Sequence, residues 1–226
     1  MKARLALTAL LTLVALTPGC GGGPPPADWK LNAVSLLEHA QQRWLEGDAR
    51  AADLALDKAR REIARSGRLD LLARTELAYC AARVASLDFA PCAAFDKAAG
   101  DSGAADLAYA RFLAGDWNGL DAQSLPTHYA SLLGARGDAA ANQAARDIRE
   151  PLPRLIAAAV LFRAGRSDPS TLALAVETAS ERGWRRPLLA WLGVGRQRAL
   201  NAGDAASAAG LQRRIELVGD SAGPRP

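Results

Sequence analysis

The stretch Ala40-Gln41-Gln42-Arg43-Trp44-Leu45-Glu46-Gly47-Asp48 decides the fold, because the chain returns to it as Ala108-Tyr109-Ala110-Arg111-Phe112-Leu113-Ala114-Gly115-Asp116. Ala, Arg, Leu, Gly and Asp stand in register, and one aromatic replaces another at Trp44 and Phe112. Around the first copy, Leu36, Leu37, Ala40, Trp44 and Leu45 cluster at helical spacing on one side of a first helix. Gly47 suits the left-handed residue that stops such a helix, and Asp48 suits the cap that opens another. The second helix runs through Ala51, Ala52, Leu54, Ala55, Leu56 and Ala59, studded with the charges of Lys58, Arg60, Arg61 and Glu62. Asn32 to Gly67 therefore reads as a helical hairpin, a unit rather than a domain.

Composition agrees with helices. Of the 226 residues, 50% are hydrophobic but only 5% aromatic, and Ala and Leu dominate the apolar half. These are strong helix formers, while the β-branched and aromatic residues that fill strands are scarce. An Ala/Leu core packs helices closely but fills little volume per residue, which suits stacked hairpins. The net charge of +4 includes Lys2 and Arg4 of an N-terminal leader, and the remainder is too mild to imply nucleic acid.

The second copy begins 68 residues after the first, twice a period of ~34. Weaker echoes stand at Ala135-Arg136-Gly137-Asp138, Arg163-Ala164-Gly165-Arg166 and Asn201-Ala202-Gly203-Asp204. With Gly47-Asp48 between the helices, Ala40 on the first, and Ala52, Leu56 and Ala59 in a small, large, small order on the second, the unit resembles a tetratricopeptide repeat. Arg43 stands where that family carries Tyr, and no Pro closes the unit. The resemblance implies an all-α fold: an α-solenoid of about six hairpins with a concave groove. Hairpins are expected near residues 32–65, 69–99, 103–124, 127–149, 151–182 and 185–218, a repeat domain over 32–218 and a disordered tail over 219–226. Asp168-Pro169-Ser170-Thr171 is a cap followed by Pro in the first turn, opening a helix to Ser180 that Gly183 ends.

The N-terminus reads as an address. A basic leader, Met1 to Arg4, precedes an apolar run from Leu5 to Leu16. That run rises about 18 Å as a helix, short of the ~30 Å hydrocarbon core, so it is a signal-peptide core rather than a span. Leu16-Thr17-Pro18-Gly19-Cys20 follows, then Gly21-Gly22-Gly23-Pro24-Pro25-Pro26. A small residue before a lone Cys resembles a bacterial lipobox, with Thr17 where the pattern prefers Leu. The resemblance implies a signal peptide over 1–19, acylation (palmitate) at Cys20, and a Gly/Pro tether over 20–31 that carries Trp29. Gly21 after the Cys resembles outer-membrane sorting in Gram-negative bacteria, with the body facing the periplasm. The alternative is ordinary signal-peptidase cleavage near Gly19.

In an exported chain, Cys80 and Cys92 remain as an even pair bracketing Ser86 to Pro91, and a disulfide between them is expected. The other reading is two buried free thiols. No clustered His supports a metal, and no catalytic site or cofactor is expected. His39 and His128 lie far apart, and neither a Gly-x-Ser-x-Gly elbow nor a His-Glu-x-x-His pattern occurs. Soluble lytic transglycosylases wear a similar helical superhelix, but they need a shielded catalytic acid. Glu76, Glu150, Glu177 and Glu181 read instead as solvated partners of neighbouring arginines. Gly193-Val194-Gly195 follows no strand and reads as close helix packing. Trp184 and Trp191, flanked by Arg182, Arg185, Arg186 and Arg196, form the one aromatic and basic cluster. Arg182, Trp184, Arg185, Arg186 and Trp191 are candidates for stacking on an envelope glycan or anionic lipid. The alternative is two core tryptophans beneath a solvated basic face. Tetratricopeptide-containing outer-membrane lipoproteins imply an adaptor that binds another envelope protein through the groove.

Overall fold

Gly47 and Asp48 do what their chemistry suggests. Gly47 stops the first helix in the left-handed region (φ +93°), and the Asp48 N–H donates back to the Arg43 carbonyl at 2.9 Å. The Asp48 carboxylate then accepts from the Ala51 N–H at 3.0 Å and caps the second helix. These are α1 (Asp28–Glu46) and α2 (Ala49–Ala64) of a computed structural model that describes residues 27–221. The expected signal peptide, Cys20 and most of the tether lie outside the described residues. Residues 28–31 of the expected tether are helical instead, since α1 begins at Asp28 and takes Trp29 into its first turn.

All regular structure among the described residues is helical. After α2 come α3 (Leu69–Ala85), α4 (Ala93–Ala98), α5 (Ala104–Ala114), α6 (Ala130–Gly134), α7 (Asp138–Asp147), α8 (Pro151–Arg163), α9 (Pro169–Glu181), α10 (Arg185–Asn201) and α11 (Ala205–Asp220). Asp168 caps α9 by accepting from the Thr171 N–H at 2.7 Å. Asn142, buried on α7, donates to the Arg166 carbonyl at 2.7 Å and accepts from the Asp168 N–H at 2.9 Å, tying α7 to the turn before α9. The last helix ends at Asp220, inside the stretch expected as a tail.

The third hairpin departs from expectation. Gly115 again takes the left-handed conformation, at φ +81°. Asp116 caps no helix, because Arg111 Nε holds its carboxylate at 2.8 Å. Trp117 folds back instead: its indole N–H donates to the Phe112 carbonyl at 3.3 Å, and its ring stacks on Phe112 at 5.8 Å between centroids. Gly119 turns the chain, and only a 3₁₀ turn (Ala122–Ser124) forms before Pro126. An aromatic anchor has replaced the second helix.

The core also joins helices that sequence order keeps apart. A linear stack puts each hairpin against its immediate neighbours. Here α3 packs against α8, and α1 against α10. Along α8 every residue from Leu155 to Leu161 is buried, so this helix is apolar all round and lies inside. It meets an α3 that buries Ala73, Leu77, Ala81, Val84 and Ala85. One continuous cluster of buried residues runs from Leu45 through Phe112 and Ile156 to Trp191. The concave space of an open stack is filled by side chains.

The disulfide expected between Cys80 and Cys92 is present, with Cα atoms 5.8 Å apart. It binds α3 to the start of α4. Within the loop it closes, Asp88 accepts from Arg83 Nε at 2.9 Å and from the Ala90 N–H at 3.1 Å.

Candidate functional site

The aromatic and basic cluster is drawn together, but turned inward. Trp184, at the mouth of α10, is 5% exposed, and its indole N–H donates to Gln42 on α1 at 3.1 Å. Trp191 is wholly buried and donates to the Ala85 carbonyl at 3.2 Å. Neither ring is open to a sugar. Arg186 sits over the Trp44 ring at 3.8 Å and donates through Nε to the Trp44 carbonyl at 2.9 Å. Burial there pushes the Arg186 guanidinium below its ordinary pKa, opposed by the field of Tyr79 and Asp88. Arg83 approaches the same Trp44 ring at 5.9 Å while holding Asp88. The chain Asp88, Arg83, Trp44, Arg186 is thus a clasp between the first hairpin, the disulfide loop and the last hairpin. Arg182, over the Trp184 ring at 5.5 Å, is exposed, and Arg185 reaches across Gly47.

A groove open to solvent lies further along α10, towards its C-terminal end. It has a volume of about 730 Å³ and runs between α9 and α11 with α10 as its floor. Leu172 and Val176 form one wall, Leu211 the other, and Gly195 and Ala199 the base. Gly195 is why the base is deep. An added Cβ would meet Leu211 at 3.5 Å and Leu172 at 3.6 Å, ordinary contact distances, and would fill part of the floor. Glu177, Glu181, Arg198 and Arg214 supply the polar rim. The far wall is an edge: α11 buries Ala208 alone, and Leu217 near its end is 73% exposed. Sequence reading singled out Gly195 as a packing position but did not connect it to Leu172 and Leu211. The i, i+4 pair Leu172 and Val176 was a legible signal for one wall; the placing of α11 across α10 from α9 was not.

The acidic and histidine candidates are scattered over the fold. Glu76 is buried and held by Arg60 through two bonds, at 2.5 and 2.7 Å, which ties α2 to α3. Glu150, Glu177 and Glu181 are exposed and make no ion pair among the described residues, so Glu76 alone of the four is held by an arginine. His39 is exposed on α1. His128 sits edge-on to Tyr129 at 4.2 Å, and burial lowers its pKa against the opposing pull of Glu150. No group of His, Cys, Asp and Glu suited to a metal occurs among the described residues, nor any helix long and apolar enough to cross a membrane. Comparison with family models, curated proteins and solved structures returns no match for this chain.

Proposed function

We propose that the chain is a lipid-anchored adaptor of a Gram-negative envelope, held to the outer membrane through Cys20 and facing the periplasm. It binds another envelope protein in the groove between α9 and α11. Its shape follows the tetratricopeptide plan in its first hairpin and closes upon itself afterwards, so the partner engages this outer groove and not a concave channel. The observation that carries the reading is the groove itself: apolar walls, a glycine-deepened floor and a charged rim, beside a terminal helix that buries one residue. That combination suits the apolar face of an amphipathic helix, anchored at i, i+4 spacing with charges outward. The rival, a glycan or anionic-lipid site on the arginine and tryptophan cluster, loses its stacking platform because Trp184 and Trp191 are buried.

The test is Ala173→Glu, at an exposed position of the groove wall. Cross-linking in cells, followed by capture and mass spectrometry, should recover an envelope protein with the native chain. The variant should recover it about tenfold less well, a loss of ~1.4 kcal/mol, with an unchanged helical spectrum. Equal recovery by both rejects the groove. Processing blocked by globomycin supports the anchor at Cys20, and unaffected processing removes it.

A further inference from the structure

A second apolar groove, separate from the first, opens between the start of α1, the end of α2 and α3. It has a volume of about 450 Å³ and is lined by Trp29, Ala33, Val34, Leu37, Ile63 and Leu71, with almost no polar wall. Apolar side chains also protrude on its α1 side: Val34 of the lining and Leu31, one turn before it, are each 56% exposed. Lys30, Arg68 and Arg74 stand along its rim. Asp70 holds Arg68 at 2.6 Å and Asp106 holds Arg74 at 3.1 Å, while Lys30 makes no ion pair among the described residues and sits 5.6 Å from the Trp29 ring.

We propose that this face rests on the surface of the anionic phospholipid membrane to which Cys20 is anchored. The inference depends on the lipid anchor argued above. Its decisive element is reach. The groove begins on the first turn of α1, and the chain takes seven steps from Cys20 to Ala27. Even fully extended, that length spans at most about 25 Å. With Cys20 in the bilayer, Ala27 at the mouth of α1 stays within that distance of the anchor, and a weak contact at Trp29, two residues on, becomes effectively intramolecular. The side chains suit the interface. An indole beside a lysine is the pairing that settles at headgroup depth, with protruding aliphatic groups reaching into the acyl boundary. The two arginines are neutralised by their carboxylates, so apolar insertion supplies most of the attraction and Lys30 adds to it on anionic lipid.

The test removes the anchor and keeps the body. The chain from residue 20 onward, with Cys20→Ser, retains every described residue. It is sedimented with vesicles of phosphatidylethanolamine and phosphatidylglycerol. The expected result is measurable co-sedimentation, stronger as phosphatidylglycerol increases, with a blue shift of Trp emission that Trp29→Phe removes. Val34→Asp, at an exposed position, should cut the bound fraction about tenfold by replacing an inserted aliphatic group with a charge. Failure of the Cys20→Ser chain to bind, or binding that Val34→Asp leaves unchanged, overturns the proposal. A dimer that forms without lipid and is broken by Val34→Asp would assign the groove to a second copy and overturns it equally. Palmitate labelling of the native chain in cells reads the anchor separately. Label without vesicle binding keeps the anchor and rejects the docking face; vesicle binding without label keeps the face and rejects the anchor.

Discussion

Trp191→Ala separates a core role for this tryptophan from a surface one. The Trp191 indole is fully enclosed, meets Phe162 edge-on at 5.7 Å, and donates to the Ala85 carbonyl at 3.2 Å. Ala85 is the last residue of α3, where carbonyls have run out of helical N–H partners. Truncation to Ala removes the largest wholly buried side chain of the core and strands that carbonyl. Large aromatic to Ala changes cost ~3–5 kcal/mol. For a body of this size each kcal/mol shifts Tm by roughly 2–4 °C, so a fall of about 6–20 °C is expected. Trp191→Phe keeps a ring against Phe162 but leaves the Ala85 carbonyl unpaired, and should cost about 1–3 kcal/mol. Arg182→Ala, on the exposed side of the same cluster, should stay within ~0.5 kcal/mol. The assay is urea unfolding followed by circular dichroism, with thermal melts as a second measure. A loss under about 1 kcal/mol for Trp191→Ala would refute the core role of this tryptophan.

Three further outcomes are expected. Reducing the Cys80–Cys92 bond should lower stability by ~2–3 kcal/mol, read as a lower urea midpoint with dithiothreitol than without, and the Cys80→Ser, Cys92→Ser double variant should show no such difference. Gly195→Ala should stabilise the chain by ~0.5–1 kcal/mol, since the new methyl meets Leu211 and Leu172 at ordinary contact distances inside a helix; a lower Tm would show that the groove floor is tighter than described. Asp168 gives a pH signature. Burial alone would raise its pKa, but the Thr171 N–H and Arg146 bonds outweigh it and hold it below the usual carboxylate range. A depressed folded-state pKa means stability present above ~4 and lost as pH falls through the lower folded value. Asp168→Asn should flatten that part of the acid-unfolding curve and cost about 0.5 kcal/mol at neutral pH through the lost Arg146 ion pair, since Asn still caps, and an unaltered acid limb would count against the ion pair.

The helices were legible wherever local chemistry alone decides them. Gly47-Asp48 marks a turn because a left-handed residue followed by a carboxylate satisfies both helix ends, whatever packs nearby. Asp168-Pro169 marks another for the same kind of reason. Gly115-Asp116 carries the identical dipeptide and fails to start a helix, because Trp117 finds Phe112 and Arg111 claims the carboxylate. Those are tertiary contacts, and nothing in the local pattern weighs them against the cap.

The joint between α1 and α10 was illegible for a deeper reason. A tryptophan next to arginines looks the same in sequence whether the ring faces solvent or core, since arginine can itself be the lid. Arg186 shows how: its guanidinium covers Trp44 and bonds to the backbone at the end of α1, so a charged residue finishes an apolar surface. The contact also explains why the array closes. Stacked hairpins of Ala and Leu leave a shallow face at each end, and here the end of α1 is covered by α10 through Trp184 and Arg186. The outermost helix, α11, is left without such a cover. Closure of one end therefore places the unsatisfied apolar edge beside α9, which is where the groove lies.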